Sequence, residues 1–195
     1  MKNSYIPLVI NFVIVIETLA CPSNFKYSHS IHKSHFSQLF VVPFFCRKHQ
    51  SALLPFDLKI FSPILTFTPA AYDTLQAHFQ DTNRTPEDYD LIVTGDLGKL
   101  GHEIVSDFFA RDGVKMNNYT DCGLLIYDLQ GQDVHCGGSG CGCAASVLTG
   151  HLLPAMEDGR YNRILFCPTG ALLSPTSTQQ GESIPSVCHA VAIEV

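Results

Sequence analysis

Tyr89-Asp-Leu-Ile-Val-Thr-Gly-Asp-Leu-Gly98 is the stretch on which the fold turns. A short apolar run, β-branched in part, fits a buried parallel strand better than an amphipathic one. It breaks at Gly95-Asp96, and a helical period follows from about Gly101 to Arg111, with Ile104, Val105, Phe108 and Phe109 facing inward. Strand, glycine turn and helix in this order are the unit from which α/β sheets are built. Upstream, Thr68 and Pro69 read as an N-cap and a first-turn proline for a helix Ala70 to Gln80, whose apolar stripe is Ala71, Leu75, His78 and Phe79. The segment from Asn83 to Asp88 is a turn. Downstream, residues 123–127 read as a second strand. The turn Cys136-Gly-Gly-Ser-Gly-Cys-Gly-Cys143 opens a third helix, Ala144 to Asp158, which Gly159 closes. Arg163 to Cys167 is a third strand. Residues 187–195 form a last one, alternating enough for a sheet edge.

Strands separated by helices of this length predict an α/β architecture with a mostly parallel sheet flanked by helices. Ligands of such sheets bind at the carboxyl ends of the strands. That rule directs attention to Gly95-Asp96, to the residues after Tyr127, and to Thr169-Gly170.

Composition divides the chain at about residue 68. Over 195 residues, charged side chains make up 15% and apolar ones 46%, as in a globular protein. None of the 14 glycines precedes residue 69, whereas nine of the 13 phenylalanines do. Residues 1–68 carry six basic and two acidic side chains, and residues 69–195 carry six basic and 16 acidic ones. The net charge of −6 excludes a nucleic-acid surface, which needs clustered Lys and Arg. Residues 1–68 stay unassigned. Lys2 and the apolar run to Ile16 resemble a leader, with Ala20-Cys21 as a cleavage neighbourhood, and the run is shorter than the roughly 20 residues that span a bilayer. The missing glycines and lost periodicity read instead as translated non-coding or out-of-frame sequence. His29, His32 and His35 have no helix signal to make them a metal cluster.

Six of the eight cysteines lie after residue 68, and buried, reduced thiols are their expected state. No second cysteine pair accompanies Cys136, Cys141 and Cys143 to build a zinc site. Gly137 to Gly142 expose backbone N–H groups before a helix, suited to an anion, or else they permit close packing. Asp96 fits a helix N-cap or a ligand group, and Asp121 a turn. Cys141 and Cys143 stand where a thiol could be activated or simply buried. His189, in an alternating strand, reads as a structural histidine.

Thr94-Gly-Asp-Leu-Gly98, Asp121-Cys-Gly-Leu124, Gly137-Gly-Ser-Gly-Cys141 and Thr169-Gly-Ala-Leu-Leu-Ser-Pro-Thr176, then Gln179-Gln180 and Glu182-Ser-Ile-Pro185, together resemble the stage V sporulation protein AD family. The resemblance covers residues 69–195. It implies the C-terminal half of a thiolase-like fold, whose complete form has two related halves and is a homodimer. Relatives with synthase activity carry Pro-His-Gln-Ala-Asn where this chain has Thr94-Gly-Asp-Leu-Gly98, and Gly-Asn-Thr-Ser-Ala-Ala-Ser where it has Gly140-Cys-Gly-Cys-Ala-Ala-Ser146. The histidine is therefore missing, and Cys141 stands in place of the asparagine. No catalytic residue is assigned. The resemblance implies binding of dipicolinic acid, free or as its calcium chelate, for uptake into the forming spore. It places the protein in the cytoplasm or at the periphery of the forespore inner membrane, alongside other stage V sporulation membrane proteins. Gly138, Ser139, Gly140 and Cys141 are the candidates for carboxylate contact, and Asp96 and Asp121 for the calcium or the ring nitrogen. No cofactor or resident metal is expected. A residual acyltransferase using Cys141 or Cys143, and an inactive fragment, are the competing readings.

Overall fold

The computed structural model describes residues 64–171 and 186–195, together with 176, 179, 180 and the strand segments 40–41 and 45–49. The leader-like run, the histidines at 29–35 and much of the stretch between Gly170 and Pro185 lie outside the described residues.

Among the described residues seven strands join in one mixed sheet: β1 Phe40–Val41, β2 Phe45–His49, β3 Leu91–Thr94, β4 Tyr119–Asp121, β5 Arg163–Cys167, β6 Thr169–Ala171 and β7 Ser186–Glu194. The order is β1-β7-β5-β3-β4, with β2 and β6 also paired to β7. β3 runs parallel to both β4 and β5, with Val93 opposite Thr120 and Phe166. β7 runs antiparallel to β5, so the sheet is mixed rather than mostly parallel. β6 follows β5 after a single residue and pairs antiparallel with β7, Thr169 opposite Cys188, which sets the same direction for β7 against β5.

Alternation along each strand builds two cores. Ile92, Leu165, Ala190 and Ala192 face helices α1 (Ile64–Thr82) and α2 (Gly98–Arg111), meeting Ala71, Leu75, Val105 and Phe109. Val93, Ile164, Phe166, Val191 and Ile193 face the opposite layer, where Val147, Leu148, Leu152 and Met156 project from α4 (Cys143–Val147), a π turn (Leu148–Leu152) and α5 (Leu153–Glu157). Helices therefore cover both faces, as the α/β reading requires. Each fully buried Leu, Ile or Phe in these layers contributes about 1.5–3 kcal/mol relative to exposure. Tyr72 on α1 packs edge-on against Phe108 and Phe109 of α2, at 5.3 and 5.0 Å between ring centres, and fixes the two helices against each other.

Three expected elements differ. α1 begins at Ile64 and holds Pro69 in its interior, so Thr68 is no cap. A proline keeps helical φ and forfeits one backbone donor, so the same Thr-Pro signal serves a start and an early interior turn. The second strand is Tyr119–Asp121, and residues 123–127 do not form it, because Asp121 caps α3 (Cys122–Leu125) by accepting the Gly123 N–H. β7 is central instead of lying at an edge. Ala190, Val191, Ala192 and Ile193 are buried, so both of its faces are covered.

Candidate functional site

The carboxyl ends of β3, β4 and β5 meet where two aspartates organise the loops. Asp121 ends β4 and has no exposed surface. Its carboxylate accepts from Thr94 Oγ1 (2.7 Å), Leu97 N–H (3.0 Å), Gly98 N–H (2.9 Å) and Gly123 N–H (2.8 Å). These amides belong to the first turns of α2 and α3, which lack partners inside their own helices. Burial pushes its pKa up, and the four donors oppose that shift. Tyr119 Oη lies 3.0 Å from Thr94 Oγ1, and the Tyr119 ring stacks on His102 of α2. Asp121 thus ties two helix starts to the sheet, and its carboxylate is turned away from solvent.

Asp96 lies at the rim, half-buried. It does not cap α2. Leu97 occupies that position, and the first amides of the helix go to Asp121. Asp96 reaches across to two other segments. Its Oδ1 accepts from Thr169 Oγ1 (2.7 Å) at the β5–β6 corner, and its Oδ2 from Ser139 Oγ (3.2 Å) and Gly140 N–H (3.0 Å) of the glycine-rich loop.

The close-packing reading of that loop holds for its first half. Residues 136–138 are close-packed: Lys99 N–H donates to the Cys136 carbonyl (2.8 Å) and Gly138 N–H to the Gly123 carbonyl (2.7 Å). A Cβ on Gly123 would run into the Gly138 carbonyl oxygen. Gly140, at φ +118, and Gly142 have open space around them. The structure brings Asp96, Ser139, Gly140 and Thr169 together, with Gly138 behind them and Cys141 exposed beside them. Thr94 was missed from sequence, although its hydroxyl on the last residue of a buried strand was a signal for a buried partner.

The thiols divide by position. Cys122, Cys143, Cys167 and Cys188 are buried and free, as expected, whereas Cys136 and Cys141 are exposed. Burial, with the Asp121 and Asp96 charges adding to it, pushes Cys143 up to about 12. It stays protonated near neutrality, the wrong state for a nucleophile. His189 is buried, and burial lowers its pKa, so it sits neutral. Among the described residues no three His, Cys, Asp or Glu side chains are grouped to hold a metal ion. No described helix is long and apolar enough to cross a membrane.

The profile of the family described as stage V sporulation protein AD matches residues 65–194. The chain belongs to that family. Its similarity to the stage V sporulation protein AD of Bacillus subtilis (strain 168) is 47% identity over 141 residues, 72% of this chain and 40% of that protein. The chain therefore spans about 40% of the length of this curated relative. Stage V sporulation protein AD membership assigns the chain to sporulation. The site described above lies inside the matched region.

Proposed function

We propose that this segment is the thiolase-like C-terminal half of a sporulation protein, and that its strand-end loops form one wall of a non-catalytic site for dipicolinic acid or its calcium chelate. The observation that carries the reading is the Asp96 junction. Where synthase relatives place a histidine, this chain has Gly95, and the Asp96 carboxylate that follows it is committed to hydroxyl and amide donors. Those donors are the kind that a planar dicarboxylate uses. Calcium takes six to eight oxygen ligands. As cargo it would bring most of them from the dicarboxylate and water. Acyl transfer through Cys143 has burial and the raised thiol pKa against it. Peripheral attachment to the forespore membrane, the stage V membrane partners and the homodimer belong to the same reading of the complete protein.

Calorimetry with dipicolinate, with and without equimolar calcium, tests this on a full-length family protein and on this chain. Saturable binding to the full-length protein without consumption of acyl-CoA is expected. Absence of binding there, or acyl-CoA turnover, would overturn the reading.

A further inference from the structure

The glycine-rich loop changes character at Ser139. Before it, residues 136–138 are pinned by backbone bonds to Lys99 and Gly123, with carbonyls so close that no side chain fits between them. After it, a Cβ on Gly140 or Gly142 would meet nothing within 4 Å, and Cys141 is exposed. The far end of this outer half is held by α4, whose Cys143 and Ser146 N–H groups donate to the Gly140 and Gly142 carbonyls (3.0 Å each), and what draws Ser139 and Gly140 against the sheet is one carboxylate. Ser139 Oγ and Gly140 N–H both donate to Asp96 Oδ2, and Thr169 Oγ1 steadies Asp96 through Oδ1.

We propose that residues 139–142 are a flap and Asp96 is its latch, an internal carboxylate occupying the donors that a ligand carboxylate would take. Two carboxylates cannot share these donors, because like charges at that separation repel. Ligand entry and latch release are then one exchange, with the Ser139 hydroxyl and Gly140 amide passing from Asp96 to the incoming anion. Gly140 at φ +118 supplies a backbone that can turn without a side-chain clash. Asp96 is on this view a positioning residue. The ligand half of the proposal rests on the dipicolinate reading above, whereas the latch rests on the loop geometry.

Hydrogen exchange on the whole chain reads the latch directly. In Asp96→Ala, which removes the acceptor, and in Ser139→Ala, the Gly140 amide of the flap should exchange about tenfold faster or more. Those of β3 and α2 should not change. Unchanged flap exchange, or an equal rise in β3 and α2, would overturn the latch. A second arm titrates dipicolinate: Asp96→Asn should bind about fivefold more tightly than the wild type if Asp96 competes with the ligand. Weaker binding would show Asp96 contacting the ligand and would sink the stand-in role. Faster flap exchange with no binding to any form would uphold the latch and remove the dipicolinate reading alone.

Discussion

At Asp121 a carboxylate without solvent contact takes hydrogen bonds from Thr94, Leu97, Gly98 and Gly123, and the balance of burial against those bonds decides what a substitution does. Asparagine has nearly the same volume, but it replaces one acceptor by a donor that faces backbone N–H groups. Each buried amide left without a partner costs roughly 1–3 kcal/mol. Asp121→Asn should therefore lose about 3 kcal/mol of stability, read from urea denaturation midpoints at neutral pH. A loss below about 1 kcal/mol would mean that water reaches the helix starts. The two aspartates also show where sequence reading stops. Residue type and spacing put Asp96 after a strand and Asp121 in a turn ahead of one, whereas both stand at the carboxyl ends of parallel strands. Only the path of the chain decides that Asp121 turns inward to take the α2 amides and that Asp96 turns outward to the loop.

Among the elements, the glycine-rich loop invites a paired test, since its halves are held by different physics. Gly123→Ala places a methyl against the Gly138 carbonyl and must push α3 off the loop, a loss of about 2 kcal/mol or more. Gly142→Ala enters open space at ordinary φ and should change stability by no more than about 0.5 kcal/mol. Thermal melts of the two variants check the contrast, and equal losses would contradict it. The elements themselves were legible wherever period and length agreed. The strand at Arg163–Cys167 and the stripe Ala71, Leu75, His78 were read directly, because a run of four apolar residues closed by Pro168 and a helical repeat have few alternatives. Residues 123–127 misled, since a short apolar run cannot be told from a capped helical turn by periodicity. The central place of β7 was hidden by alternation: Ser186 and His189 look like outward positions, yet both are buried.

Across the whole molecule, one part-buried network joins the first described helix to the last strand. His78 of α1 lies 2.6 Å from Tyr89 Oη, Arg84 donates to Tyr89 Oη (3.2 Å) and to Glu194 Oε1 (3.1 Å), and Glu194 also pairs with Arg163 at 2.9 Å. His78 Nδ1 is buried with no partner among the described residues, so a second ring proton would be a buried donor on a cation with no acceptor among them. Burial, with the Arg84 charge adding to it and Asp81 opposing, lowers its pKa to about 4. A histidine whose folded pKa is depressed contributes stability that is present above its unfolded value near 6.5 and is lost as pH falls toward 4. The full loss from this residue is about 3 kcal/mol. His78→Phe keeps the bulk and leaves Tyr89 its bond from Arg84, so the variant should unfold with a much shallower acid limb between pH 6.5 and 4. Urea midpoints taken across that window measure the difference. Parallel profiles for variant and wild type would place the acid sensitivity in other groups and show that His78 protonates without disturbing the junction of α1, β3 and β7.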